Sequence, residues 1–273
     1  MDKLWTKSWV IIWALVFTLI LNACGGGTNG PEKCYSPTPA VCAALGVERS
    51  FPTTTTSAVG LYKGLTNNGR TVAGLSFSDN SFYAIYSGVN NPLIAGGVIQ
   101  GTLRADAGKF TVTDALDVNL EGLGIQVVSI TGAYGDKQFL NGSVDYPAIK
   151  QTVSFLSNYS SDFESTPSIA TVVGTYVGTS KNSTGSETIT INVNETGIIT
   201  GKSGTGCAFS GTIQPRTSGN AYVVSITFGA SPCRLAGNTL NGVSYFDPAS
   251  NLAYTAASVP GKNDSFVIIS TKQ

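Results

Sequence analysis

Glu187-Thr188-Ile189-Thr190-Ile191-Asn192-Val193 leads into Asn194-Glu195-Thr196-Gly197 and then Ile198-Ile199-Thr200-Gly201-Lys202. Ile189, Ile191 and Val193 alternate with Thr188, Thr190 and Asn192, a period of two that turns one face of a strand to a core and the other to water. A turn built on Asn194 and Gly197 folds the second run back on the first as an antiparallel hairpin. The same reading extends along the chain, with strands expected at 172–178, 187–193, 198–202, 207–214, 221–228, 239–246, 252–258 and 265–270. About eight strands joined by short turn-rich gaps make an up-and-down meander, and a sheet of that size removes its edges by closing. No ten-residue stretch after the first 23 residues carries a helical period, which excludes a parallel β-α-β fold.

Three ordered anchors relate this unit to the chain before it. Val59-Gly60-Leu61-Tyr62-Lys63-Gly64 answers Val173-Gly174-Thr175-Tyr176-Val177-Gly178, Gly101-Thr102-Leu103 answers Gly211-Thr212-Ile213, and Leu140-Asn141-Gly142 answers Leu240-Asn241-Gly242. Their order is kept, so the reading is a duplication: an all-β chain with two tandem antiparallel barrel-like domains at 57–166 and 169–273. The offsets are 114, 110 and 100, which places about ten extra residues between Gly101 and Leu140. They fit best at 114–124, as a loop projecting from the first barrel.

Composition narrows the chemistry. The chain has 16 basic and 16 acidic residues, and charged residues are 12% of it against a usual quarter or so. Without charge blocks it is a poor partner for nucleic acid. The absence of histidine removes His-based triads, His general bases and His-ligated metals together. The three tryptophans, Trp5, Trp9 and Trp13, all lie near the N-terminus.

That N-terminal segment has its own signature. Lys3 and Lys7 precede an apolar run from Trp9 to Leu21, broken only by Thr18 and too short to span a bilayer. It ends at Leu21-Asn22-Ala23-Cys24, followed by Gly25-Gly26-Gly27. This edge resembles the lipobox of bacterial lipoproteins. The resemblance implies a signal peptide at 1–23, acylation of Cys24 that ties the chain to a lipid bilayer, and a tether over 24–56. Gly25 stands where an aspartate usually retains such proteins in the inner membrane, so the outer membrane is the expected location, with either face open. The other cysteines, Cys34, Cys42, Cys207 and Cys233, allow three pairings. Cys34–Cys42 with Cys207–Cys233 is favoured because each pair lies within one unit, and disulfides imply an oxidising compartment.

Gly-x-Tyr-x-Gly opening a meander, behind a lipid cysteine and a glycine tether, also resembles the barrels of bacterial surface lipoproteins of the transferrin-binding protein B and factor H-binding protein type. The segments 205–211 and 240–243 are similar to two-repeat lipoproteins of Gram-negative bacteria. The resemblance implies a non-enzymatic outer-membrane lipoprotein without a cofactor that binds a protein partner at the envelope. Two further roles stay open: a small-ligand carrier that uses the barrel interior as lipocalins do, and an inhibitor or immunity protein. Exposed apolar loops would favour partner binding or the inhibitor role, and a roomy interior lined by small residues would favour the carrier.

The densest acidic cluster is Asp114, Asp117 and Glu121, a candidate calcium site or acid–base pair. Leu116, Val118 and Leu120 alternate with Asp117, Asn119 and Glu121, which describes a half-exposed strand with a wet face. With Leu123, the set Asp114, Leu116, Asp117, Leu120, Glu121 and Leu123 is the candidate partner-binding loop. Tyr86, Tyr146 and four other strand tyrosines are expected to cap cores, with a tyrosine-lined ligand pocket as the less favoured reading.

Overall fold

The computed structural model describes residues 57–259, 261 and 264–273. The signal segment, Cys24, the tether and the Cys34–Cys42 pair lie outside the described residues. The described residues begin with β1 (Gly60–Thr66), β2 (Thr71–Ser76), β3 (Ser81–Gly88), β4 (Asn91–Thr102) and the short β5 (Arg104–Asp106). Four more strands complete the first half: β6 (Lys109–Asn119), β7 (Gly124–Gly135), β8 (Phe139–Tyr146) and β9 (Gln151–Tyr159). A single 3-10 turn and the one-turn helix α1 (Ile169–Val172) lead into the second half. This comprises β10 (Gly174–Asn182), β11 (Gly185–Val193), β12 (Ile198–Ser203), β13 (Ala208–Pro215), β14 (Tyr222–Phe228), β15 (Thr239–Asp247), β16 (Leu252–Ser258) and β17 (Ser265–Lys272).

Strands β10 to β17 close into an eight-stranded antiparallel barrel in chain order. In the first half β1 pairs with β9, and β4 pairs with β6, so β1–β4 and β6–β9 close a second ring of eight; β5 is a flap on the edge of β6. The fold is therefore all-β, with two closed antiparallel barrels in tandem. The period-two run Glu187–Val193 lies in β11, with Ile189, Ile191 and Val193 inside the barrel. β10 starts two residues later than expected because Ile169–Val172 wind into α1, whose N-terminal Ser168 hydroxyl accepts from the Thr171 N–H.

The repeated Gly-x-Tyr-x-Gly does the same work in both barrels. Tyr62 and Tyr176 turn inward, and each phenol donates to a carbonyl four residues upstream, Ala58 O at 3.1 Å and Val172 O at 2.9 Å. The second glycines, Gly64 and Gly178, lie where the first strand meets the last, against Ser157 and Ser270. A Cβ at either would overlap the backbone of the closing strand, so only glycine lets the ring shut there.

The third anchor is corrected. Leu140-Asn141-Gly142 lies in β8, the seventh strand of its ring, whereas Leu240-Asn241-Gly242 lies in β15, the sixth of its own. The two segments are not equivalent, and the ten-residue insertion deduced from them falls away.

The barrels lie side by side and share apolar contacts. Leu61, Leu75 and Phe77 of the first pack with Ala221, Val243 and Tyr245 of the second, and Val98, Val118 and Leu120 pack with Ala256, Val267 and Ile269. Ion pairs frame this contact: Lys63 Nζ lies 2.9 Å from Asp162 and 3.1 Å from Asp247, and Arg216 lies 3.0 Å from Asp79 while stacking on Phe77. Strands at the contact bury both faces. In β17, Phe266 and Ile268 enter the barrel core while Val267 and Ile269 enter the interface. That is why 266–269 reads as an unbroken apolar run rather than an alternation.

The two interiors differ. The second barrel is filled by aromatic rings: Phe266 packs edge-on against Phe209 and Phe228 at 5.6 and 4.9 Å, and Tyr176 packs against Phe246 at 6.2 Å. The Cys207–Cys233 disulfide closes its core, tying the start of β13 to the β14–β15 loop. The first barrel is hollow.

Candidate functional site: the interior of the first barrel

The first barrel encloses a cavity of about 170 Å³. Its inner walls are Phe82, Ile130, Leu140, Val144 and Phe155, with Gly74 and Ala84 leaving room between them. Alternation puts these residues inside: on β3, for example, Phe82, Ala84 and Tyr86 share the inward face. Gly74 matters for volume, since a Cβ there would meet nothing nearer than Tyr62 O at 3.7 Å. The far end is stopped by Tyr62, edge-on to Tyr159 at 5.7 Å. The open end is ringed by Thr66, Asn68, Arg70, Leu123 and Gln151, at the β1–β2, β6–β7 and β8–β9 turns.

Polar groups collect toward that mouth. Arg70 spans it, paired with Glu121 at 2.5 Å, donating to Ser87 O at 2.8 Å and lying 5.3 Å from the centre of the Tyr86 ring. Deeper, the Tyr86 hydroxyl donates to Asp117 Oδ1 at 2.7 Å and the Tyr146 hydroxyl donates to Asp117 Oδ2 at 3.0 Å. Asn119 Nδ2 donates to Tyr86 Oη at 3.2 Å. Tyr86, Tyr146 and Asn119 line the cavity, and Asp117, 0% exposed, sits behind them. Burial pushes the Asp117 carboxyl up to about 6, against the opposing pull of the two phenol hydrogen bonds and the Arg70 charge. Burial and then the Asp117 charge push both phenols well above their usual range, so they stay protonated and donating.

No family model and no curated protein matches the chain. Among solved structures, the chain is similar to the isotype 1 transferrin binding protein B of serogroup B Neisseria meningitidis, at 11% identity and a TM-score of 0.29 over 75% of this chain. It spans 66% of that protein's chain, just under two thirds. It is also similar to a candidate outer membrane protein of Bacteroides fragilis, at 12% identity and a TM-score of 0.26, over 79% of this chain and 97% of the other.

The candidate binding loop is corrected by its placement. Residues 114–119 belong to β6, and only the tight turn at 120–123 leaves the sheet. A register shift between Val112 and Ala115 resets the alternation, after which Asp117 and Asn119 point into the barrel while Val118 and Leu120 enter the interface. The wet face is thus the interior, and the apolar face is covered by the second barrel. The three acids do not converge as a calcium site or a carboxylate pair: Asp114 accepts from the Thr102 amide and hydroxyl at 2.7 Å, Asp117 holds the tyrosines, and Glu121 holds Arg70. Leu116 is half-buried on β6, and only Glu121 and Leu123 reach the mouth. Tyr86 and Tyr146 are buried in the core of the first barrel, as expected of strand tyrosines, and both also line its cavity.

Asp117 makes stability depend on pH in a direction that can be checked. Folding raises its pKa above the ordinary carboxyl value of 3.8, so between about pH 4 and 6 the folded chain holds the proton more tightly than the unfolded one. Its contribution is most favourable below about pH 4, declines as pH rises to 6, and stays lower by roughly 3 kcal/mol above that. Asp79, Asp162 and Glu187 are shifted downward and slope the other way, so the comparison has to be with a variant. Asp117→Asn is expected to gain on the wild type by up to about 3 kcal/mol between pH 4 and 7 in urea melts. A difference that stays flat across this range would contradict the assignment.

Proposed function

We propose that this chain is a non-enzymatic, lipid-anchored envelope protein whose first barrel binds one small, largely apolar molecule. The observation that carries the reading is the contrast between a hollow barrel open at one end and a filled barrel beside it. Interiors normally pack to crystal density, so a cavity of this size lowers stability unless it is occupied in use. An apolar cavity of about 150 Å³ takes benzene, so this one suits a ligand of one ring or a short chain. The reading favours the carrier role over the inhibitor role, and it is tested directly. Titration of the purified protein with toluene, followed by methyl NMR of Ile130, Leu140 and Val144, is expected to show single-site binding in the micromolar to millimolar range. Gly74→Leu fills the space without a backbone clash and should abolish the shifts while leaving the protein folded. No binding by the wild type, or binding unchanged by Gly74→Leu, would end this reading.

A second observation favours a macromolecular partner at the same end. Val89 and Leu93 beside the β3–β4 turn, Leu123 and Ile125 beside the β6–β7 turn, and Ile149 before β9 are all exposed at the end where the cavity opens. An apolar rim of this kind suits a protein that receives or delivers the ligand.

The anchor is the remaining part of the proposal. It rests on the Leu21-Asn22-Ala23-Cys24 motif, and the outer membrane is the location it favours. Cys24→Ser is expected to eliminate incorporation of labelled fatty acid and to shift the protein from the detergent phase to the aqueous phase. Equal labelling of variant and wild type would remove the lipid from the account.

A further inference from the structure

At one point deep in its polar wall, the Tyr146 hydroxyl, the cavity shows its ligand a fixed hydrogen-bonding polarity. Three phenols line the cavity: Tyr62 donates to Ala58 O, while Tyr86 and Tyr146 donate to Asp117, Tyr86 to Oδ1 and Tyr146 to Oδ2. Tyr86 Oη in turn accepts from Asn119 Nδ2 at 3.2 Å. Asn119 Oδ1 is occupied too, accepting from the backbone N–H groups of Glu121 at 2.9 Å and Leu123 at 3.2 Å. Tyr146 Oη is different: among the described residues no group donates to it. What it offers the cavity is an oxygen that can accept but has no proton left to donate, polarised by the carboxylate behind it.

Charge is balanced around the same wall. Arg70 at the mouth is held by Glu121, and Lys181 of the second barrel lies close enough to both to feel their fields. An anionic ligand would face Asp117 across the tyrosines, and a cationic one would face Arg70.

We infer that the ligand is a neutral amphipathic molecule, an apolar body of about one ring ending in a hydroxyl that donates to Tyr146 Oη. This inference rests on the reading of the first barrel as a ligand site, and a matched series of probes separates the two. Toluene, p-cresol, 4-methylanisole, p-toluate and benzylamine share one ring and differ in the head group. Titrated into the full chain by calorimetry, p-cresol is expected to bind about tenfold more tightly than toluene or 4-methylanisole, the worth of one hydrogen bond to a polarised acceptor. Tyr146→Phe keeps the ring and removes the oxygen, and should bring p-cresol to within about twofold of 4-methylanisole while toluene is unchanged. If none of the five binds, the ligand-site reading itself fails. If toluene and 4-methylanisole bind as tightly as p-cresol, or if p-toluate or benzylamine binds tightest, the site stands and this assignment of its ligand is overturned. The wild-type series decides the matter even if Tyr146→Phe folds poorly.

Discussion

Replacement of residues 114–124 by an Asn-Gly turn is expected to unfold the first barrel. The pairs Gly97–Asn119, Val98–Val118, Ile99–Asp117 and Gln100–Leu116 are the contacts by which β6 meets β4 and shuts the ring. Their removal leaves two strands with unpaired edges and exposes the polar groups of both to solvent on opening. The same replacement withdraws Val118 and Leu120 from the contact with Ala256, Val267 and Ile269. It also leaves Tyr86 and Tyr146 without their shared acceptor. The combined loss exceeds what a domain of this size has in reserve, on the order of 5–15 kcal/mol. Amide NMR should show the first-barrel resonances collapse to unfolded positions. A shortened protein that keeps its dispersed spectrum would mean that the segment is a dispensable lip after all.

Phe266→Ala is expected to cost about 3–5 kcal/mol, the usual range for a fully packed core phenylalanine. Its ring is held edge-on between Phe209 and Phe228, so truncation leaves a hole bounded by two rings that cannot turn to fill it. The backbone cannot sink inward either, because Val267 on the opposite face of β17 is fixed in the contact with the first barrel. The shift in urea midpoint measures this cost. A loss below about 1 kcal/mol would mean that the second barrel is not filled in the way described.

The strands were legible in the sequence where one face meets a core and the other meets water. In β11 the alternation of isoleucine with threonine is that division written out, and in β12 to β16 the turns lie where asparagine and glycine cluster. The site was hidden for a reason that acts in the opposite direction. Asp117 looked solvent-facing because alternation assigns the polar face of a strand to water. In β6 the outward face is covered by the second barrel, so Val118 and Leu120 point out of the ring and the polar residues point in. The bulge between Val112 and Ala115 added a shift of register that leaves no mark on residue types. One signal did exist. The unbroken run Phe266-Val267-Ile268-Ile269 demands apolar neighbours on both faces of its strand, and so announces a second layer beside the barrel. The misplaced Leu-Asn-Gly anchor shows the limit of short matches, since such a triplet suits a strand next to a turn in any position of the ring.

On the proposed function one barrel is a receptacle and the other a packed support, and xenon distinguishes them. Xenon enters dry apolar cavities and leaves close-packed cores empty. Crystals of the protein equilibrated under xenon pressure should show a strong peak between Phe82, Leu140 and Phe155 in the first barrel and none among Phe209, Phe228 and Phe266 in the second. A first barrel without xenon, or equal occupancy in both, would contradict the account.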